Sequence, residues 1–345
     1  MLRLLLVAVV GCTPLYDAQL DDRATALEAS RTEFLPGSDK VQFVTASESK
    51  LYWVNLEGAL EVPTLHSFSP STGARVDFAI ANTDTRWAMD YKMSDDLVVR
   101  CSFGTTIAYD ARVPNLQLGM TANGNDLCTV DGPNVYFSVG REIRKWTPSS
   151  GQPAKMVLSI DTALGPTAGS VDGLAVIGDQ GVLDESSRLW LMNLVAGTAA
   201  YLNNDGTTGK VNLDARGVMF DSQKGVEYIQ FADKSMLPMT AAIADGGYSL
   251  NFKHGDVQTL ADGGGYTLFA GHAIYRGEGG IFAYGFDTTK VIDLLLDRGM
   301  GYEALPHYGD PLVTSDGTLF VQDITQASSA SPHPVYRVDL SGRLR

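Results

Sequence analysis

The chain has 345 residues and a formal net charge of −14, from 40 acidic and 26 basic side chains. That balance excludes a phosphate-backbone partner, which is bound by clustered Lys and Arg, and no basic stripe interrupts the sequence. A hydrophobic content of 44% supports a sizeable core, and 36 glycines point to a turn-dense, all-β chain.

The first twelve residues read as an export signal. Met1-Leu2-Arg3 is a minimal basic start, and Leu4 to Val10 is an apolar run far short of the ~20 residues that span a membrane. Val9-Val10-Gly11-Cys12 resembles the bacterial lipoprotein box, with Val where Leu is usual. The resemblance implies that residues 1–11 are a signal peptide removed before Cys12. It also implies a diacylglyceryl group on the Cys12 thiol and acylation of the new amine. Two or three acyl chains anchor a protein stably where one does not. Thr13 follows the cysteine in place of Asp, which by the enterobacterial sorting rule implies outer-membrane delivery. With Cys12 consumed, Cys101 and Cys128 remain on neighbouring predicted strands. In an oxidising periplasm they are candidates for one disulfide; the alternative is two buried thiols.

Residues 12–36 follow as a separate segment. Tyr16, Leu20, Ala24 and Leu27 share one helical face. The segment reads either as a tether or as a short amphipathic helix docked on the domain or the membrane surface. Pro36-Gly37 marks the start of a globular region, 37–345.

From Val41 onward, apolar runs of four to six residues alternate with clusters of Gly, Asp, Asn, Ser and Pro. Strands that lead into a polar turn begin near residues 65, 107, 143, 189, 226, 281 and 335, a mean spacing of about 45. A second element, a turn followed by a strand, fills the intervals at Ser49–Val54, Asp131–Phe137 and Asp316–Val321. The fullest unit runs from Asp131 to Leu158, with Leu127-Cys128-Thr129-Val130 as its first strand. A repeat of this length holding four short strands is a β-propeller blade, and 37–345 accommodates seven blades, with six or eight as alternatives. The phase is least defined in the middle, where 189–193 and 226–231 also read as second strands and Ala200-Tyr201-Leu202 as a third.

Leu65–Phe78, Ile143–Val157 and Tyr201–Val211 resemble the repeats of the YVTN and quinoprotein-like propeller superfamily, in which an apolar strand ends in a Thr/Ser-Gly turn and returns. Asp316–Val321 resembles the Asp-Gly turn of sugar-lactonase-like propellers. The resemblance implies a fold hosting scaffolds and enzymes alike. In such a fold Tyr52, Trp53, Tyr136, Phe137, Trp190, Tyr228, Phe282 and Tyr336 are expected between blades.

Catalytic signatures are sparse. The sequence holds no Gly-x-Ser-x-Gly elbow and no His-Glu-x-x-His, and His66, His254, His272, His307 and His333 are scattered. They read as solvated or internally satisfied. Trp53, Trp87, Trp146 and Trp190 do not recur in every unit, as quinone docking would require. Asn203 to Gly206 reads as a β-turn, and the glycine runs at 263–265 and 277–280 read as turns. No cofactor is expected. Calcium is the one metal the lactonase resemblance brings in, through Asp95, Asp96, Asp310 and Asp316 near strand starts.

The sequence therefore points to a lipid-anchored envelope protein, held in the membrane through Cys12. Its propeller would be a non-catalytic scaffold for a protein or surface polymer. The alternatives are a metal-dependent lactonase-like or glycan-active enzyme, and a small-ligand sensor.

Overall fold

The structure is a computed structural model describing residues 31–344, apart from 37–40, 58–61, 79–90, 103, 123–126, 166–170, 186–187, 202–214, 222–225, 232–234, 239–240, 245–246, 251–257, 260–265, 278–279, 286–287, 289, 297–307 and 325–333. Between 200 and 266 it describes backbone alone. Residues 1–30, with Cys12 and the expected helical face, lie outside it, as do Trp87, His254, His307 and His333. Among the described residues no helix is long and apolar enough to cross a membrane.

The chain opens with β1 (Thr32–Leu35). The first sheet holds β2 (Val41–Ala46), β3 (Leu51–Glu57), β4 (Val62–Phe68) and β5 (Arg75–Phe78). The second holds β6 (Tyr91–Met93), β7 (Leu97–Ser102), β8 (Thr105–Asp110) and β9 (Gln117–Ala122). The third holds β10 (Cys128–Asp131), β11 (Asn134–Val139), β12 (Glu142–Trp146) and β13 (Lys155–Ser159), followed by the short helix α1 (Ile160–Leu164). The fourth holds β14 (Val171–Ile177), β15 (Gln180–Glu185), β16 (Arg188–Asn193) and β17 (Thr198–Tyr201). The fifth begins with β18 (Ala215–Asp221), β19 (Val226–Phe231) and β20 (Ser235–Pro238). A separate hairpin, β21 (Ala241–Ala244) with β22 (Gly247–Leu250), precedes its last strand, β23 (Gln258–Thr259). The sixth sheet holds β24 (Tyr266–Phe269), β25 (His272–Gly277), β26 (Gly280–Gly285) and β27 (Val291–Leu296). The seventh holds β28 (Leu312–Val313), β29 (Thr318–Gln322) and β30 (Val335–Asp339), completed by β1.

Every strand pairing is antiparallel, and the described residues form seven four-stranded sheets. This agrees with the expected architecture. The first strands of successive sheets stand side by side, β6 next to β10, β10 next to β14, and so on to β28, which lies beside β2. The strands that mark the sequence period are third in their sheets (β4, β8, β12, β16, β26 and β30), except β19, which is second. Ala200-Tyr201, read as part of a third strand, belongs to the fourth, β17, because the third position is taken by β16.

The third sheet illustrates why the sequence folds this way. Val135, Tyr136, Phe137 and Val139 are β-branched or aromatic and favour a pleated, half-buried strand. Asp131 pairs with Asn134, and Val139 with Glu142, leaving two residues at each hairpin tip. Gly132 and Gly140 occupy those tips at φ of +50° and +58°, a conformation costly for other residues.

Alternation along each strand sends apolar side chains toward both neighbouring sheets. Val98 packs with Tyr52, Leu65 and Phe78 of the first sheet. Leu97, Val99 and Cys101 face the third sheet, against Cys128, Val135, Phe137 and Trp146. Tyr136 and Ile143 pack on Val176, Leu183 and Met192 of the fourth. Of the expected interblade aromatics, Tyr52, Trp53, Tyr136 and Phe137 are fully buried. Trp190, Phe282 and Tyr336 are partly buried. The side chain of Tyr228 lies outside the description.

One boundary needs correction. The sequence reading assigned residues 12–36 to the tether, yet Thr32–Leu35 pairs with Val335–Arg337 as the outermost strand of the seventh sheet. Phe34 packs against Trp53, Phe68 and Phe320, with ring centroids 5.7, 4.7 and 5.3 Å away. Leu35 is buried with Val41, Leu51 and Val335. The apolar pair Phe34-Leu35 therefore belongs to the domain core.

Candidate binding site at the channel mouth

In the seventh sheet and the first four, the turns joining first and second strands lie beside one another. They share a local chemistry. Ser47, Ser94 and Thr314 each immediately follow an innermost strand, and their backbone N–H groups bond the carbonyls of Lys50, Leu97 and Thr318 at 2.9, 2.9 and 3.1 Å. The Ser94 hydroxyl also accepts the N–H groups of Asp96 and Leu97 at 3.3 and 3.0 Å. These are side-chain-capped turns of the kind Ser, Thr and Asp favour.

Neighbouring turns are joined to one another. The Ser315 N–H donates to the Glu48 carbonyl at 2.7 Å, linking the seventh sheet to the first. The hydroxyls of Ser47 and Ser49 donate to the Asp95 carboxylate, the Ser49 N–H joins at 3.0 Å, and Lys50 donates to the Asp95 carbonyl. The Tyr52 hydroxyl reaches the Ser94 carbonyl at 2.7 Å. Ser94 Oγ donates to the Gly132 carbonyl at 2.6 Å, and the Gly178 N–H donates to the Asp131 carboxylate at 3.1 Å. Hydrogen bonds thus pass from turn to turn through five consecutive sheets, the seventh to the fourth.

Inside this rim lies a cavity of about 610 Å³. Its apolar walls include Met93, Val130, Leu174 and Val176, and Glu48, Lys92, Asp95, Asp96 and Asp131 bring charge to it. Four carboxylates face one lysine. Burial pushes the Asp131 carboxyl above its ordinary range, partly opposed by the Gly178 N–H and by Lys145. Burial lowers the Lys50 ammonium, opposed by Asp95 and Asp96. Burial also pushes the Tyr52 hydroxyl far up, with the same two carboxylates adding to it. The cavity can therefore accommodate a cation on an apolar stem.

The carboxylates proposed from sequence as calcium ligands are not gathered. Asp310 precedes β28 and Asp316 follows it, at opposite ends of the strand. Asp316 accepts bonds from Thr314 and Thr318, and Asp310 faces Arg276 at 3.8 Å. No group of three or more His, Cys, Asp or Glu is arranged to hold a metal among the described residues. His66 is buried in β4, between the Asp77 carboxylate at 2.6 Å and Asn55 Oδ1 at 2.5 Å, and stacks on Trp53. His272 is buried and bonds the Ala270 carbonyl at 2.9 Å. Both are internally satisfied strand residues.

Cys101 on β7 and Cys128 on β10 come together between the second and third sheets, with Cα atoms 6.2 Å apart. That separation suits a disulfide. The linked turns went unread in the sequence, although a signal was present: a hydroxyl residue directly after the first strand, repeated at 47, 94 and 314. It precedes the period-marking strands at 65, 107 and 335 by 18, 13 and 21 residues, so it keeps no fixed distance from them and is masked.

The comparisons with solved structures bear on the architecture. The β-propeller domain of Cps50 (Swd1) from Myceliophteria thermophila superposes with a TM-score of 0.53 at 8% identity, covering 89% of this chain and 98% of that one. The fold is a β-propeller. The CNH domain of AfRom2 matches with a TM-score of 0.50 at 10% identity, over 90% of this chain and 99% of that one. The WD40 repeats of RRP9 give 0.48 at 8% identity, over 89% and 99%. No protein-family model matches the sequence, and no curated protein sequence does.

Proposed function

We propose that this propeller is a non-catalytic binding scaffold, anchored in a bacterial envelope through lipid on Cys12, that engages a protein or surface polymer at the channel mouth. The observation that carries the binding reading is the cavity of about 610 Å³ framed by turns of successive sheets. Rigidly linked turns lower the ordering cost of association. The four carboxylates at the cavity favour a partner presenting Lys or Arg side chains. The Val9-Val10-Gly11-Cys12 motif supports the anchor, and an exported location is compatible with a Cys101–Cys128 disulfide.

Glu48 and Asp96 are the residues to test, because the Asp95 carboxylate is engaged in holding its neighbour's turn. An oligolysine peptide should bind the purified chain with an affinity that falls as salt rises. A Glu48→Lys/Asp96→Lys variant should lose that binding while keeping its melting temperature; equal binding by both proteins would exclude the mouth. Affinity purification from envelopes, with and without Cys12→Ala, identifies the partner and tests the anchor together: the variant should leave the membrane fraction. A metal-dependent lactonase or glycan-active enzyme is the competing reading. Stoichiometric metal in the purified protein, with turnover, would favour it.

A further inference from the structure

We propose that the Cys101–Cys128 pair regulates the channel-mouth cavity, which binds its cationic partner tightly when the pair is bonded and weakly when it is reduced. This rests on the binding reading above. Strand β10 is only four residues long and stands between β6 and β14, the two other first strands that wall the cavity. Besides its pairing with β11 and its apolar packing, three ties among the described residues join β10 and the turn after it to the neighbouring sheets. Cys128 meets Cys101 of the second sheet, the Gly132 carbonyl accepts the Ser94 hydroxyl at 2.6 Å, and Asp131 accepts the Gly178 N–H of the fourth sheet at 3.1 Å. The cysteine pair is the covalent one of the three. Cys128 also forms part of the cavity wall, so the pair adjoins the cavity it is proposed to regulate.

The chemistry is thiol–disulfide exchange with a dithiol. A thiolate of the dithiol attacks one sulfur of the pair, and the second thiol then closes the reductant's own disulfide. Two electrons and two protons pass to the protein, which is left with two thiols. Both cysteines are buried among Leu97, Val99, Phe137 and Trp146. Thiols are accepted in such surroundings as small apolar groups, so the sheets stay packed. What is lost is the fixed distance between β7 and β10, and with it the pre-ordered mouth.

The test measures oligolysine binding by calorimetry to the full chain as oxidised, after dithiothreitol, and in a Cys101→Ser/Cys128→Ser variant. Peptide mapping after alkylation reports the state of each cysteine, and far-ultraviolet circular dichroism reports the sheets. The expected result is retained sheet signal with binding weakened about tenfold in the reduced protein and the variant, restored by reoxidation. Equal affinity in both states, with the thiols shown free, overturns the proposal. Loss of the sheet signal on reduction also overturns it, because the pair is then only a structural brace. If oligolysine binds neither form, the binding reading fails, and hydrogen exchange decides the redox inference separately. Faster exchange confined to β6, β10 and β14 on reduction supports it, and unchanged or uniformly faster exchange overturns it.

Discussion

Gly119 lies on β9, and the Trp146 indole of the next sheet presses on its backbone. A Cβ at residue 119 would stand 2.8 Å from Trp146 Cζ2. Trp146 is buried and held among Leu97, Phe137 and Val135, so the ring has little room to retreat. Gly119→Ala should cost about 1–3 kcal/mol of stability, read as a lower denaturant midpoint with unchanged slope. Asp131 gives a pH-dependent counterpart. Burial raises its folded-state pKa above the ordinary 3.8. Its contribution is therefore fully present below that value and lost as pH rises through the folded pKa. Asp131→Asn keeps an acceptor for the Gly178 N–H and never ionises. Relative to the parent it should be slightly more stable at neutral pH, and the gap should close as pH falls below 3.8. Denaturant titrations at both pH values check this.

At the scale of elements, β1 matters beyond its length. Its four residues contribute Phe34 to an aromatic group with Trp53, Phe68 and Phe320, and Arg31 stacks over Tyr336 at 4.2 Å. Phe34→Ala should cost about 2–4 kcal/mol in thermal or denaturant unfolding. A Glu33→Ala control, at an exposed position of the same strand, should cost little. The repeat was legible because hairpin chemistry is local: Gly132, Gly140, and the alternating Val135, Tyr136 and Phe137 announce their strands without tertiary help. The role of β1 was not, because Phe34-Leu35 is too short a run to signal a strand, and its partner Val335–Arg337 lies some 300 residues away in sequence. In the middle the composition left the phase open. Val226–Phe231 read both as a period-marking strand and as a second strand, and pairing with β18 and β20 makes it second. The site was legible only in its residue types. Asp95 and Asp96 were noted as strand-start carboxylates, but whether a carboxylate binds a ligand or a neighbouring turn depends on which turn adjoins it. Ser47 and Ser49 consume Asp95, and nothing near residue 95 in the sequence says so.

For the whole molecule, an excess of carboxylates gives the propeller a field that attracts cationic partners and repels polyanions. The channel mouth concentrates that field in a concave, partly apolar space. Adding salt should weaken oligolysine binding far more than it alters unfolding, since the sheets are held by apolar packing and the encounter by charge. The sheet shared by the two ends of the chain has a separate consequence. Thr32 lies opposite Arg337, so the first and last described strands are neighbours. Nothing in the pairing of the other sheets depends on where the polypeptide begins. A gene rearranged to join those ends and open at the Gly140-Arg141 hairpin tip would encode the same set of strands in a different linear order. In such a permuted chain the seventh sheet would form from one continuous segment, and the third would become the sheet assembled from both ends.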